Sequence, residues 1–307
     1  MKAPGAGTAA SRCPKRNNGA VRKLPRGFVF KGHGLGNDYA VVQGGRCGFR
    51  LSVPAIRLFC DRHFGVGSDG ILVHENSRRG DARMRVLNPD GSEAQKSGNG
   101  ARIFALYLRR YGLPGRSRYL VETLGGMIRA VFRGGLITVD MGRATFMSRA
   151  LPMRGPAREA VREKLRVGGK SLVFTGVSVG NPHAVFYMKK LDLALLRRLG
   201  PLIENHKLFP ERTNVQFAQR VSAGLVKAII WERGAGETQA SGSSACAVAA
   251  AGRKLGLLGP DVTVSMPGGK LKLGISPAWE MTMTGPAEEV YSGSLSSDLL
   301  RSLSRAR

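Results

Sequence analysis

Acid is what this chain has too little of: 21 Asp and Glu stand against 48 Lys and Arg, a formal net charge of +27 at pH 7. Such an excess can mark a nucleic-acid partner. Here the basic residues are scattered, with no basic helix interleaved with aromatics, so nucleic acid is not expected as a partner despite the charge. Long apolar runs are also missing. No stretch approaches the roughly 18 residues a membrane span needs, and a soluble protein with no membrane partner is expected. Cys13, Cys47, Cys60 and Cys246 lack C-x-x-C or Cys/His spacing, which excludes a zinc site and a disulfide framework and reads as free thiols in a reducing compartment. Residues 1–26 hold seven Lys or Arg and no acid. They have neither the apolar core of a secretory signal nor the apolar face of a transit peptide, and are read as a disordered basic extension.

What is present is a chain of 307 residues, 42% hydrophobic, with 42 glycines. That composition fits a compact, turn-rich protein of about two domains. One pattern occurs twice. Ser97-Gly98-Asn99-Gly100 opens the apolar run Ala101–Tyr107, and Ser241-Gly242-Ser243-Ser244 opens the Ala-rich run Ala245–Ala250. Each run reads as a helix buried all round. A buried helix N-terminus presents unpaired N–H groups and the positive end of a dipole, so two of them, one from each half, could grip one carboxylate. The plainer reading is two buried helices with ordinary Ser caps.

Strands are read at Phe28–Lys31 and Tyr39–Val42, separated by a glycine-dense loop, Gly32–Asp38, and a helix at 53–63. Gly65-Val66-Gly67-Ser68-Asp69-Gly70 matches G-x-G-x-x-G, but a helix precedes it and a strand follows. That is the reverse of a dinucleotide site, which is therefore rejected. Further strands are read at 71–74, 82–88, 119–123, 128–132 and 136–141, with a crossing at Met141-Gly142-Arg143. After a ragged hairpin at 156–170 come strands at 173–179 and 184–187, a helix at 192–200, strands at 215–219, 225–232, 262–266, 270–275 and 281–285, and a weakly helical tail at 293–307. The expected division is 27–142 plus about 286–307 as one domain and 143–285 as the other.

Loops at strand ends hold Asn37, Asn88, Asn181 and Asn214, and a second loop adds Glu232 and Arg233. A lone loop asparagine is usually a turn former. Four amides with one carboxylate and one guanidinium, beside two helix N-termini, suit a small zwitterionic amino acid. Arg233 would hold a distal carboxylate bidentately and Glu232 would accept from an ammonium.

The segments GLGND (34–38), NPDGSEAQKSGNGAR (88–102), GNPH (180–183), ERTNV (211–215), ERGAGETQASGSS (232–244) and TGPAE (284–288) resemble, in order, those of the diaminopimelate epimerase family. The resemblance implies an α/β fold of two pseudo-symmetric halves, each a curved, mostly antiparallel sheet wrapped round a central buried helix. It also implies a cytoplasmic, commonly dimeric isomerase that interconverts LL- and meso-2,6-diaminopimelate for lysine and cell-wall synthesis without cofactor or metal. In that family two cysteines at the helix heads move the α-proton. Both positions are serine here, Ser97 and Ser241. The resemblance places the reacting carboxylate on the N–H groups of Gly98, Asn99, Gly242 and Ser243, and the distal group on Asn37, Asn88, Asn181, Asn214, Glu232 and Arg233.

A serine hydroxyl ionises far less readily than a thiol and needs a neighbour to take its proton. His183, Glu93 and Glu237 are the candidate assistants. Cys246, five residues into the second helix, reads as a buried core thiol. Three readings stay open: an epimerase that runs on assisted serines, a same-fold isomerase or dehydratase, and a catalytically silent amino-acid-binding relative or cysteine-to-serine variant.

Overall fold

Two serines set where the central helices begin. The computed structural model describes residues 22–306. In it Ser97 (φ −134°, ψ 125°) and Ser241 (φ −140°, ψ 127°) are extended N-caps in nearly the same conformation. Ser97 Oγ accepts from Gly100 N at 3.0 Å, and Ser241 Oγ accepts from Ser244 N at 3.4 Å. Each hydroxyl thereby satisfies a donor that would otherwise lack a partner. The other helices are α1 (Val53–Cys60), α3 (Leu193–Glu204) and α5 (Ser297–Arg305). The central pair are α2 (Gly98–Tyr107) and α4 (Gly242–Lys254), and their side chains are buried nearly throughout.

The two halves repeat one plan. In the first, the hairpin Phe28–Gly34/Asn37–Gln43 leads through α1 to the hairpin Ile71–Glu75/Ala82–Leu87, then through α2 to the meander Arg118–Thr123, Gly126–Arg133, Leu136–Arg143. In the second, Lys170–Ser178/Pro182–Tyr187 leads through α3 to Asn214–Ser222/Leu225–Glu232, then through α4 to Asp261–Met266, Gly269–Ile275, Glu280–Gly285. Parallel pairing occurs across the equivalent helices: 37–43 with 71–75 and 182–187 with 214–222, then 82–87 with 118–123 and 225–232 with 261–266. A helix crossover is what allows parallel neighbours. The other strand pairings are antiparallel. The expected fold, two pseudo-symmetric halves with mostly antiparallel sheets round central helices, is the one observed.

The halves join where Leu136–Arg143 pairs with Glu280–Gly285. Met141 and Met283 from these strands pack on the helix heads. A Cβ on Gly98 would come 2.7 Å from Met283 Cε and 2.9 Å from Met141 Cε, and one on Gly242 would come 3.0 Å from Met283 Sδ. Glycine at both helix starts lets these methionine ends close over the heads, and the shared Met283 brings the two termini to the same seam. One hydrophobic cluster runs through both central helices, and smaller ones lie under α3 and between α1 and α5.

Several local expectations change. The loop read at 32–38 is a tight hairpin turned by Leu35 and Gly36, both at positive φ (59° and 88°), which keeps Asn37 at a strand start. The strand Glu288–Ser294, absent from the sequence reading, pairs with Phe28–Gly34. Its alternating Glu, Tyr and Ser hid its register. Of the basic extension, residues 1–21 lie outside the described residues. Residues 22–26 are not loose: Leu24 is buried and its N–H donates to Gln43.

Candidate functional site

The heads of α2 and α4 open into a cavity of about 610 Å³ lined from both halves. Ser97, Gly98 and Asn99 lie on one side, and Ser241, Gly242 and Ser243 on the other. The first N–H groups of each helix have no acceptor within it and carry the positive end of its dipole. Positive charge reinforces them. Lys96 lines the cavity with its ammonium on the carbonyl of Met141 (2.7 Å), and burial lowers its pKa. Beneath lies Arg102, 0% exposed, donating to Asn99 Oδ1 (2.8 Å) and the Pro286 carbonyl (3.1 Å); burial lowers its pKa to about 10. A buried guanidinium held by neutral acceptors leaves its field available to a bound anion.

Asn37, Asn88, Asn181, Glu232 and Arg233 line the cavity, and Asn214 does not. Asn37 lines the cavity and is fixed between Asp69 Oδ2 (2.8 Å) and Asn99 Nδ2 (3.1 Å). Asn88 lines it from a turn tied by its own amide to Ser92 Oγ at 2.9 Å. Asn181 lines it too, with Nδ2 3.5 Å from Ser243 Oγ. Asn214 does not line the cavity. It is buried, donates to the Pro182 carbonyl (2.8 Å) and accepts from the Arg233 N–H (3.0 Å), so it holds the wall in place. Arg233 lines the rim, where one guanidinium nitrogen donates to the Glu211 carbonyl at 3.1 Å.

Glu232 is one of three carboxylates that line the cavity, with Glu93 and Glu211. Its carboxylate accepts from Thr238 Oγ1 (2.7 Å), and Ser241 lines the same cavity. Desolvation raises its pKa above the ordinary carboxylate value, and the Thr238 hydroxyl only partly offsets this. A carboxylate made more basic and set in the same cavity as a helix-cap serine is a candidate acceptor for that serine's proton.

The three candidate assistants fare differently. Glu93 lines the cavity but is committed to a bidentate ion pair with Arg85, Nη2–Oε2 2.8 Å. Glu237 is not brought to the cavity; it pairs with Arg197 at 2.6 Å on the surface, because its short strand points it outward. His183 is buried beneath the cavity wall. Its Nε2 is 2.9 Å from Asn181 Oδ1 and its Nδ1 is 3.0 Å from Gln216 Nε2. Desolvation, with Arg233 nearby, pushes its pKa down to about 3, so the ring is neutral and donates to Asn181. Its place is that of an anchor turning the Asn181 amide toward Ser243. A pH–rate profile is accordingly expected to show no limb near the usual histidine value of about 6.5. A limb there that disappears in His183→Gln would contradict this placement.

Among the cavity residues that sequence reasoning missed are Tyr39, Gln95, Lys96 and Glu211. A readable signal for Tyr39 existed: Gly36-Asn37-Asp38-Tyr39-Ala40-Val41 and Gly180-Asn181-Pro182-His183-Ala184-Val185 are the same segment in the two halves. Cys246 is fully buried on the core face of α4, its thiol pushed up to about 12 by burial, and is not part of the cavity lining. Among the described residues no group of three or more His, Cys, Asp or Glu side chains could hold a metal ion.

The sequence matches the family described as "Diaminopimelate epimerase" over residues 29–147 and 175–290. Diaminopimelate epimerase of Desulforudis audaxviator is 46% identical, covering 86% of this chain and 97% of its own. Diaminopimelate epimerase 2 of Nostoc sp. is 40% identical, covering 88% and 96%. A hydroxyproline epimerase from Agrobacterium vitis superposes with a TM-score of 0.66 at 16% identity, over 88% of this chain and 92% of that one. A phenazine biosynthesis protein of the PhzF family from Bacillus anthracis gives 0.61 at 15%, over 88% and 98%. The two superpositions speak for the fold alone.

Proposed function

The chain belongs to the diaminopimelate epimerase family and is by that membership an isomerase; we propose that it interconverts LL- and meso-2,6-diaminopimelate using Ser97 and Ser241 where its family uses thiols. The single observation that carries this reading is the convergence of Ser97, Ser241 and the Glu232 carboxylate on one cavity at the heads of α2 and α4. The α-carboxylate of the substrate sits between the N–H groups of Gly98, Asn99, Gly242 and Ser243. Lys96 and Arg102 strengthen that field. Negative charge that develops on the carboxylate as the α-proton leaves is stabilised by the same dipoles, which are already oriented. Ser241 removes the proton while passing its own to Glu232. Ser97 returns a proton from the other half.

Asn37, Asn88, Asn181 and Arg233 select the distal amino-acid group. Arg233→Lys keeps the charge but loses the planar fork, so KM for diaminopimelate is expected to rise about tenfold or more with kcat changed less. Steady-state kinetics on the purified variant checks this. An unchanged KM would take Arg233 out of the recognition set. The reading also includes a homodimer in the cytoplasm, and residues 27–142 with about 286–307 as one domain against 143–285 as the other.

The reading is tested by incubating the protein with LL-diaminopimelate and resolving the stereoisomers by chiral chromatography. Meso product approaching an equilibrium mixture supports it. Binding of diaminopimelate without conversion favours the silent-relative reading instead, and no binding removes the substrate assignment.

A further inference from the structure

Each half places one asparagine of the cavity wall beside a strand start, Asn37 and Asn181, and each is fixed from behind by different groups. Asn181 Oδ1 lies 2.9 Å from His183 Nε2. Asn37 belongs to a chain of four side chains. Arg102 Nη2 donates to Asn99 Oδ1 (2.8 Å), Asn99 Nδ2 donates to Asn37 Oδ1 (3.1 Å), and Asn37 Nδ2 donates to Asp69 Oδ2 (2.8 Å). The two ends of the chain decide its direction. A guanidinium only donates and an ionised carboxylate only accepts, whereas an amide fits its neighbours either way round. With Arg102 buried at one end and Asp69 at the other, only one orientation of the two amides pairs every member.

Asp69 is carried there by Gly65–Gly70, the glycine motif that fits no dinucleotide site. The loop doubles back on the end of α1, where the N–H groups of Val66 and Gly67 both donate to the Phe59 carbonyl (2.8 and 3.2 Å). Side chains would block this path: a Cβ on Gly65 would collide with the Leu58 carbonyl, and one on Gly70 would come 2.6 Å from the Leu87 carbonyl. The loop then locks onto the residue after Asn37. The Asp69 N–H donates to the Asp38 carbonyl (2.9 Å), and Asp69 Oδ2 accepts from the Asp38 N–H (3.1 Å). The Asp38 carboxylate is taken up by Lys31 (3.0 Å) and Arg62 (2.8 Å), which leaves Asp69 as the acceptor for Asn37. Asp69 itself does not line the cavity.

We infer that Asp69 is a positioning residue that holds the Asn37 amide in the orientation the distal amino-acid group of the substrate meets, in series with Asn99 and Arg102. This inference rests on the epimerase reading of the cavity, in which Asn37 touches that group. The oxygen that does so is Oδ2. The other, Oδ1, meets Arg62 Nη2 at 2.8 Å on the open side, where the Arg62 side chain is 56% exposed. An accepting oxygen toward Asn37, rather than negative charge, is therefore the requirement. An asparagine at 69 would keep that oxygen and turn its NH₂ toward Arg62, which has room to swing away.

This separates positioning from an ion-pair role, which Asp69→Asn and Asp69→Ala would damage alike. Affinity for diaminopimelate is read by calorimetry, with KM and kcat alongside. Asn37→Ala and Asp69→Ala are each expected to weaken binding by about tenfold, with KM rising to match and kcat changing less than about threefold. Asp69→Asn should stay within about threefold of the unmodified protein. The double variant Asn37→Ala/Asp69→Ala should bind within about twofold of Asn37→Ala alone, since both residues act through one contact. Asp69→Leu, which fills the space but cannot accept, repeats the test if the alanine variant does not fold, as judged by circular dichroism. Equal losses in Asp69→Asn and Asp69→Ala, no loss in Asp69→Ala, or an additive double loss would each overturn the Asp69 assignment while leaving diaminopimelate binding by the unmodified protein standing. Loss of the fold in both Asp69→Ala and Asp69→Leu would make Asp69 structural and overturn it too. Absence of binding in the unmodified protein would overturn the substrate reading and this inference together.

Discussion

Replacing Ser97 and Ser241 together by cysteine is expected to raise kcat/KM for diaminopimelate by about 10²-fold or more. General acid–base groups contribute roughly 10²–10⁴-fold each, and a group whose pKa lies near the working pH contributes most. A free thiol titrates near 8.5 and a helix N-terminus lowers it, whereas an alcohol needs its proton taken as it reacts. The two positions already sit at helix heads with matching backbone angles, so the thiols would be presented without rebuilding the cavity. The same substitution should cost stability. Each serine caps its helix through Gly100 or Ser244, and a thiol caps poorly, so a loss of about 1 kcal/mol per helix is expected in denaturant unfolding. A faster and less stable protein is the expected combination. A slower one would mean that the hydroxyls are tuned to their neighbours in a way thiols cannot replace.

Glu232→Gln is expected to have the largest effect in the opposite direction, a fall in kcat of about 10²–10⁴-fold with diaminopimelate binding retained. The amide keeps the shape and can accept from Thr238, but it cannot receive the proton of Ser241. Stability should not fall. Burial raises the folded-state pKa of Glu232 above its unfolded value, so the ionised form opposes folding at neutral pH, and the unmodified protein gains stability as pH falls through the folded pKa. The neutral amide removes that opposition, and thermal unfolding at pH 7 should show a midpoint at or above that of the parent. Activity follows the opposite sign. The carboxylate is the working form, so kcat/KM falls as pH drops through the raised pKa, and this acid limb lies above the usual Glu value of about 4.3. In Glu232→Gln the limb should vanish from the residual rate. A drop in stability with the limb intact would make Glu232 a structural residue.

Much of the fold was written in the repeat. Ser-Gly heads followed by apolar helices at 97 and 241, with strand pairs before and glycine turns after each, require the same plan twice, and that plan is what the strand pairings show. What the sequence hid was set by register and by partners far along the chain. The hairpin at Leu35-Gly36 looked like a longer loop because glycines fill one strand end. The strand Glu288–Ser294 carries no apolar alternation, since much of it faces solvent. For the site, composition and spacing gave part of the cavity wall, because polar residues at strand ends converge where the helices start. They could not tell which polar groups were already committed. Glu93 and Glu237 are neutralised by Arg85 and Arg197, and His183 is spent on Asn181 and Gln216. Tyr39 read as one more strand aromatic, although its match to His183 in the other half marked the position.

The central claim, that two serines at the helix heads invert the α-carbon of diaminopimelate, is tested most directly by proton NMR of LL-diaminopimelate with the unmodified protein in D₂O. The account predicts loss of the α-proton signal accompanied by meso product carrying deuterium at the inverted carbon. Persistence of the α-proton signal with saturating protein over days, in a preparation that binds the substrate, would contradict it.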